Sequence, residues 1–146
     1  MQTGHSHRPT TAFMGASWAA LVMGVLTYLT GLWNAQMLLN EKGYYLTLIL
    51  YGLFAAVSLQ KSVRDRLEGI KVTRIYFTLC WVSLGSALAL LAVGLVNASI
   101  ADSEKGFYAM SYMLSLFAAV AVQKNVRDVA LFSEGPAGAS KDANET

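Results

Sequence analysis

The sequence predicts an all-α, polytopic membrane protein with four transmembrane helices arranged as two parallel two-helix repeats. Three observations carry that prediction. The 146 residues are 55% hydrophobic and 14% charged, against about 25% charged in an ordinary soluble domain, and so short a chain cannot hide that much apolar surface in one core. Four apolar segments contain no Asp, Glu, Lys, Arg or His. The last two of them repeat the first two in one constant register.

Residues 1–12 read as a cytoplasmic N-terminal tail. His5 and His7, the only histidines, lie in it with no cysteine nearby and no carboxylate before Glu41, a tail rather than a metal site. Phe13 to Trp33 is an unbroken charge-free run, and at about 1.5 Å per residue it matches the roughly 30 Å hydrocarbon layer. A cleaved signal peptide is the rival reading. The run is longer than a typical signal core, and no small-x-small cleavage site with a polar mature start follows it. Ile75 to Val96 is as long and as free of charge. Gly43 to Leu59 and Phe107 to Val122 are shorter, at or below the lower limit for a span. They cross if the aromatic pairs Tyr44/Tyr45 and Phe107/Tyr108 sit at one interface while Lys61 and Lys124 snorkel to the other. Residues 129–146 read as a disordered cytoplasmic tail, with helix breakers from Ser133 onward.

The repeat is gapless. Trp18 aligns with Trp81, Gly31-Leu32 with Gly94-Leu95, Glu41-Lys42-Gly43 with Glu104-Lys105-Gly106, and QKSVRD at 60–65 with QKNVRD at 123–128. Shared oiliness does not explain identities that include Asn, Glu, Lys, Gln, Arg and Asp. The units are 13–65 and 76–128, joined by a linker at 66–75. Each contains two spans, so both enter from one side, related by a pseudo-twofold axis along the membrane normal.

Segment 60–74 holds Lys61, Arg64, Arg66, Lys71 and Arg74, whereas the other two connections hold only Lys42 and Lys105. The positive-inside rule then puts 60–74 and both termini in the cytoplasm. The repeated "GLWNA", "NEKGYY", "GLFAA" and "QKSVRD" resemble the YiaAB two-helix family of small bacterial inner-membrane proteins. That resemblance implies a multi-pass inner-membrane location and carries no activity with it. Val96 departs from the first copy, which has Trp33.

Two polar motifs are the candidate sites. The hinge comprises Asn34, Glu41, Gly43, Asn97, Glu104 and Gly106. Asn40 and Ser103 are expected to N-cap the second helix of each unit, with Glu41 and Glu104 in the first turn favoured by the helix dipole and the glycines allowing close packing or a bend. The alternative is an outer-face ligand site built from Asn34, Glu41, Asn97 and Glu104. At the opposite end, Lys61, Arg64, Lys124 and Arg127 come to one membrane level. Lys61 can pair with Asp65 at i,i+4, so the motif reads first as a paired anchor and second as a contact for anionic lipid headgroups or an acidic membrane-protein partner.

Gly52 and Ala56, matched by Ser115 and Ala119, give small-x-x-x-small spacing for close helix packing, as do Ala20/Gly24 and Ser83/Ala87. Cys80 reads as a buried packing thiol. No catalytic constellation, cofactor motif or metal-ligand spacing is present, and topology accounts for the basic residues without nucleic acid. The reading is a non-enzymatic structural or interaction component of the membrane. Its alternative is a transporter or channel for a neutral solute, active as a homo-oligomer, with Tyr28, Thr30, Tyr51, Ser86, Ser111 and Tyr112 along the path. Ion-coupled transport would ask for ionisable groups inside the spans.

Overall fold

The computed structural model describes residues 8–134. Four helices account for most of them: α1 (Thr11–Asn34), α2 (Leu39–Leu67), α3 (Arg74–Asn97) and α4 (Asp102–Glu134). All four are long and apolar enough to cross a membrane. The short apolar runs at 43–59 and 107–122 lie within helices of 29 and 33 residues, because the charged ends on both sides remain helical. Helix α4 runs through Glu134, so 129–134 is helix, not the start of a disordered tail. His5 and His7 at the front, and residues 135–146 at the back, lie outside the described residues.

Helix starts are capped differently from expectation. Asn40 and Ser103 each stand at the second helical position rather than at the cap. The preceding Leu38 and Ala101 have no side-chain acceptor, and the glutamates reach back instead. Glu41 Oε2 accepts from the Leu38 N–H at 2.8 Å, and Glu104 Oε2 from the Ala101 N–H at 3.0 Å, which is the carboxylate half of a capping box. Helices α1 and α3 do have hydroxyl caps: Thr10 Oγ1 accepts from Phe13 N at 3.2 Å and Thr73 Oγ1 from Tyr76 N at 3.3 Å. These threonines hold equivalent positions in the two copies.

Packing runs between repeats more than within them. Helix α1 lies chiefly on α4 and α3 on α2, with α2 and α4 meeting at the centre, whereas the two helices of one unit touch only lightly. A single unit therefore cannot cover its own inner face. Small residues make the cross-repeat contacts possible in lipid, where packing rather than expulsion of water drives helix association. A Cβ on Gly24 would lie 2.7 Å from Ser115 Oγ and 3.0 Å from its backbone nitrogen, and one on Gly52 would overlap the Tyr112 hydroxyl. Gly31 meets Phe107 and Gly94 meets Tyr44 in the same way, and these two pairs are repeat equivalents. Ala56, Ser115 and Ala119 are buried at the same interfaces.

Tyrosines fill the middle of the bundle and satisfy their own polar ends. Tyr28 Oη donates to the Tyr45 carbonyl and Tyr112 Oη to the Leu48 carbonyl, both at 2.9 Å. Burial of a phenol requires such a partner. Outside, large apolar side chains face away from the bundle; the repeat mates Phe54 and Phe117 are 71% and 73% exposed, as lipid contact demands.

Candidate functional site

The sequence places its polar residues at the two ends of the bundle, and the structure builds something different at each. At the basic end, the last turns of α2 and the matching turns of α4 come together. The expected local pair forms, Lys61 to Asp65 at 2.7 Å, and its repeat equivalent Lys124 to Asp128 forms at the same distance. Stronger constraints run across the repeats. Arg64 pairs with Asp128, and Arg127 pairs with Asp65 at 2.7 Å. Both guanidiniums also hold Glu68, Arg64 at 2.7 Å and Arg127 at 2.6 Å.

Glu68 is a member of this network that the repeated motifs do not include. It follows the last residue of α2, where Gly69 adopts φ +77 and the Gly69 N–H donates to Arg66 O and the Ile70 N–H to Asp65 O. This is a Schellman-type stop, in which glycine takes the left-handed position. The stop leaves Glu68 on the bundle beside both arginines. Its repeat equivalent is Leu131, so the keystone exists once. The available signal was Glu68 at i+4 from Arg64, followed by glycine.

The carboxylates lie beyond the apolar 43–59 stretch and are ionised. Hydrogen bonds from Arg64 and then Arg127 hold the Glu68 carboxyl below the usual carboxylate range, and those from Lys61 and Arg127 do the same for Asp65. Pairing does not consume all the positive charge. Segments 60–74 and 123–128 bring seven cations against three carboxylates. The Lys61 and Lys124 side chains are 57% and 54% exposed. Arg66 lies 4.3 Å from the centre of the Phe77 ring, a cation–π contact. Arg66, Lys71 and Arg74 form no ion pair among the described residues.

At the hinge end, Asn34, Glu41, Asn97 and Glu104 do not converge on one site. Two repeat-related clefts pair them across the copies. One, of about 430 Å³, is lined by Asn40, Glu41, Tyr44, Gly94 and Asn97; the other, of about 360 Å³, by Gly31, Asn34, Glu104, Phe107 and Tyr108. Each of these two combines the glutamate of one copy with the asparagine of the other. A third cleft, of about 640 Å³, is lined by Asn34 and Glu41 of the first copy with Trp33 and Lys42. Asn34 and Asn97 donate their side-chain amides to the Thr30 and Val93 carbonyls at 2.9 and 2.8 Å, completing the ends of α1 and α3. Gly43 and Gly106 sit inside helices with open space beside them, so neither close approach nor a turn requires glycine there.

Beside the basic end, two further polar pairs link the repeats. Asn125 Nδ2 donates to Ser17 Oγ at 3.2 Å, and Ser62 Oγ lies 3.5 Å from Cys80 Sγ; the two pairs are repeat equivalents. Cys80 is buried. The Tyr28, Ser111 and Tyr112 hydroxyls donate to backbone carbonyls and are thus engaged within the bundle.

Four membrane-length helices, tied together mainly by contacts between two copies of one helix pair, define a membrane protein of the two-helix-repeat class. The chain belongs to the yiaA/B two helix domain family, YiaAB, whose pattern matches residues 13–65 and again 76–128. It is 57% identical over 120 residues to "Inner membrane protein YiaA" of Escherichia coli (strain K12), covering 82% of this chain and 83% of that protein. It is 31% identical over 97 residues to "Inner membrane protein YiaB" of the same organism, covering 66% and 81%. With "Uncharacterized membrane protein YubF" of Bacillus subtilis (strain 168) it shares 37% identity over 65 residues, 44% of this chain and 75% of that one. No solved structure matches the chain.

Proposed function

We propose that this protein is a non-enzymatic structural or interaction component of the bacterial inner membrane. In this reading both termini and segment 60–74 face the cytoplasm, and the basic end engages the anionic leaflet there. The observation that carries it is the surplus of cations left after the Arg64, Arg127, Asp65, Glu68 and Asp128 network is complete. At the hinge end, by contrast, Lys42 donates to the Trp33 carbonyl at 2.9 Å and Lys105 lies 3.7 Å from Asp102. Each exposed cation near an anionic leaflet contributes about 1 kcal/mol. The commitment of the Tyr28, Ser111 and Tyr112 hydroxyls to backbone carbonyls supports a structural role over passage of a neutral solute.

The test is reconstitution with and without Arg66→Gln, Lys71→Gln and Arg74→Gln together, substitutions that leave every ion pair intact. Co-purified phosphatidylglycerol should fall relative to phosphatidylcholine in the variant. Equal retention of both lipids by both proteins would remove the proposed surface.

A further inference from the structure

We infer that the basic end holds one anionic phospholipid molecule, its acyl chain lying in a groove between α2, α3 and α4 and its headgroup at Lys124 and Gln60. This deepens the proposed contact with an anionic leaflet and rests on it. The groove has a volume of about 390 Å³; Ala56, Leu59, Val63, Leu84 and Val120 form its apolar walls, and Arg64 and Lys124 stand at its basic rim.

Three chemistries line the groove, and together they describe an occupant. The apolar walls suit a hydrocarbon chain. Such a chain gains packing there but no transfer from water, since it leaves lipid to enter; the walls therefore set its place and residence, and the polar rim sets its identity. Gln60 also lines the groove, one residue from the level of Lys61, and its Oε1 is buried without a hydrogen-bond partner. A buried acceptor of this kind is costly unless a donor reaches it. At the rim, the Lys124 ammonium gives one hydrogen bond to Asp128 and has two donors left. Arg64 is held by Glu68 and Asp128, so its charge is already paired and Lys124 is the cation left to make the contact.

The occupant must then carry an apolar chain, a hydroxyl donor and a net negative charge. A phosphatidylglycerol supplies all three: its phosphate faces Lys124, and a glycerol hydroxyl can donate to Gln60. Phosphatidylcholine has no headgroup donor and no net charge. The free headgroup, glycerol phosphate, has the polar features without the chain.

The test uses the full chain in nonionic detergent, titrated with dioleoyl phosphatidylglycerol, dioleoyl phosphatidylcholine or glycerol phosphate and read by native mass spectrometry. One phosphatidylglycerol should be retained about fivefold more strongly than phosphatidylcholine, the factor that one Lys near an anionic group provides. Glycerol phosphate should not compete. Val63→Trp places bulk on the outer wall without touching an ion pair, and Leu84→Phe narrows the groove from α3. Each should lower phosphatidylglycerol retention about fivefold in the folded protein, with Val63→Trp leaving the melting temperature unchanged, and Gln60→Leu should shrink the preference over phosphatidylcholine. Undiminished retention in folded Val63→Trp and Leu84→Phe would overturn the groove. If retention then still fell on Lys124→Gln, or on the Arg66, Lys71 and Arg74 substitutions, the broader surface reading would survive alone. Effective competition by glycerol phosphate would overturn the acyl-chain part, and equal retention of the two lipids by the wild-type chain would overturn both readings.

Discussion

Tyr112 stands over Gly52 so closely that any side chain on the glycine would occupy the place of the phenol hydroxyl. The contact joins α4 to α2 at the bundle centre, and the hydroxyl continues to the Leu48 carbonyl. Neither residue is duplicated: Ser115 stands at the repeat equivalent of Gly52, and Ile49 at that of Tyr112. The two copies have diverged here into a protrusion and a recess that fit each other.

Gly52→Leu should therefore destabilise the bundle by about 1–3 kcal/mol, the usual range for overpacking, whereas Leu50→Ile, at a position 60% exposed, should change little. Adding Tyr112→Ile to Gly52→Ala should recover part of the loss. The check is a double-mutant cycle on melting temperature in mild detergent, where a coupling of about 1 kcal/mol is expected for residues in contact. Strict additivity would mean that the two do not touch.

Arg64 with Asp128 and Arg127 with Asp65 form reciprocal ion pairs across the repeats. Arg64→Asp alone should lower thermal stability more than Lys61→Gln, because it places a carboxylate against Asp128 and Glu68. Restoring the charge order with Asp128→Arg should raise stability above that of Arg64→Asp. Glu68→Gln should also lower the melting temperature, while Leu131→Ala at the repeat-equivalent position, itself half exposed, should not. No gain in the exchanged double variant would show that the pairs form locally and not between repeats.

The same carboxylates set a pH dependence. Asp65 and Glu68 are held below the ordinary carboxylate range by their cationic partners. Groups with a depressed folded-state pKa contribute stability that is fully present above the unfolded value, near 4, and is lost as pH falls through the folded one. The melting temperature should be flat from about pH 7 to pH 5 and decline below about pH 4. Glu68→Gln should make that decline shallower. An identical acid profile in the variant would assign the loss to other carboxylates.

The sequence repeat foretold much of this arrangement, since the one register relates the twin clefts, the Gly31/Phe107 and Gly94/Tyr44 contacts, and the Ser17/Asn125 and Cys80/Ser62 pairs. It could not show which helix of one copy packs on which helix of the other. The small-residue spacing is satisfied by packing within a copy or between copies, and only shape decides. Thr10 and Thr73 precede the stretch where identities are dense, so the repeat does not single them out as caps. Asn40 and Ser103 are good capping residue types that stand too far into their helices, and there Glu41 and Glu104 won by reaching back to the cap. Glu68 belongs to one copy only, so a search for repetition passes over it.

Orientation is the remaining prediction, and labelling can decide it. Ile70 lies at the basic end and is 50% exposed; Ala101 is exposed at the hinge end, and its only described hydrogen bonds are through its backbone, to Glu104 and Lys105. Cysteine at either position should leave the fold unchanged. The native Cys80 is 4% exposed and should stay silent toward a membrane-impermeant maleimide. Cations are retained on the cytoplasmic side during insertion, and the surplus at 60–74 is large compared with Lys42 and Lys105 alone. In intact cells, Ala101→Cys should therefore react while Ile70→Cys reacts only after the membrane is opened. The reverse pattern would put the basic end outside and withdraw the cytoplasmic assignment, because the anionic contact would then have to lie in the outer leaflet.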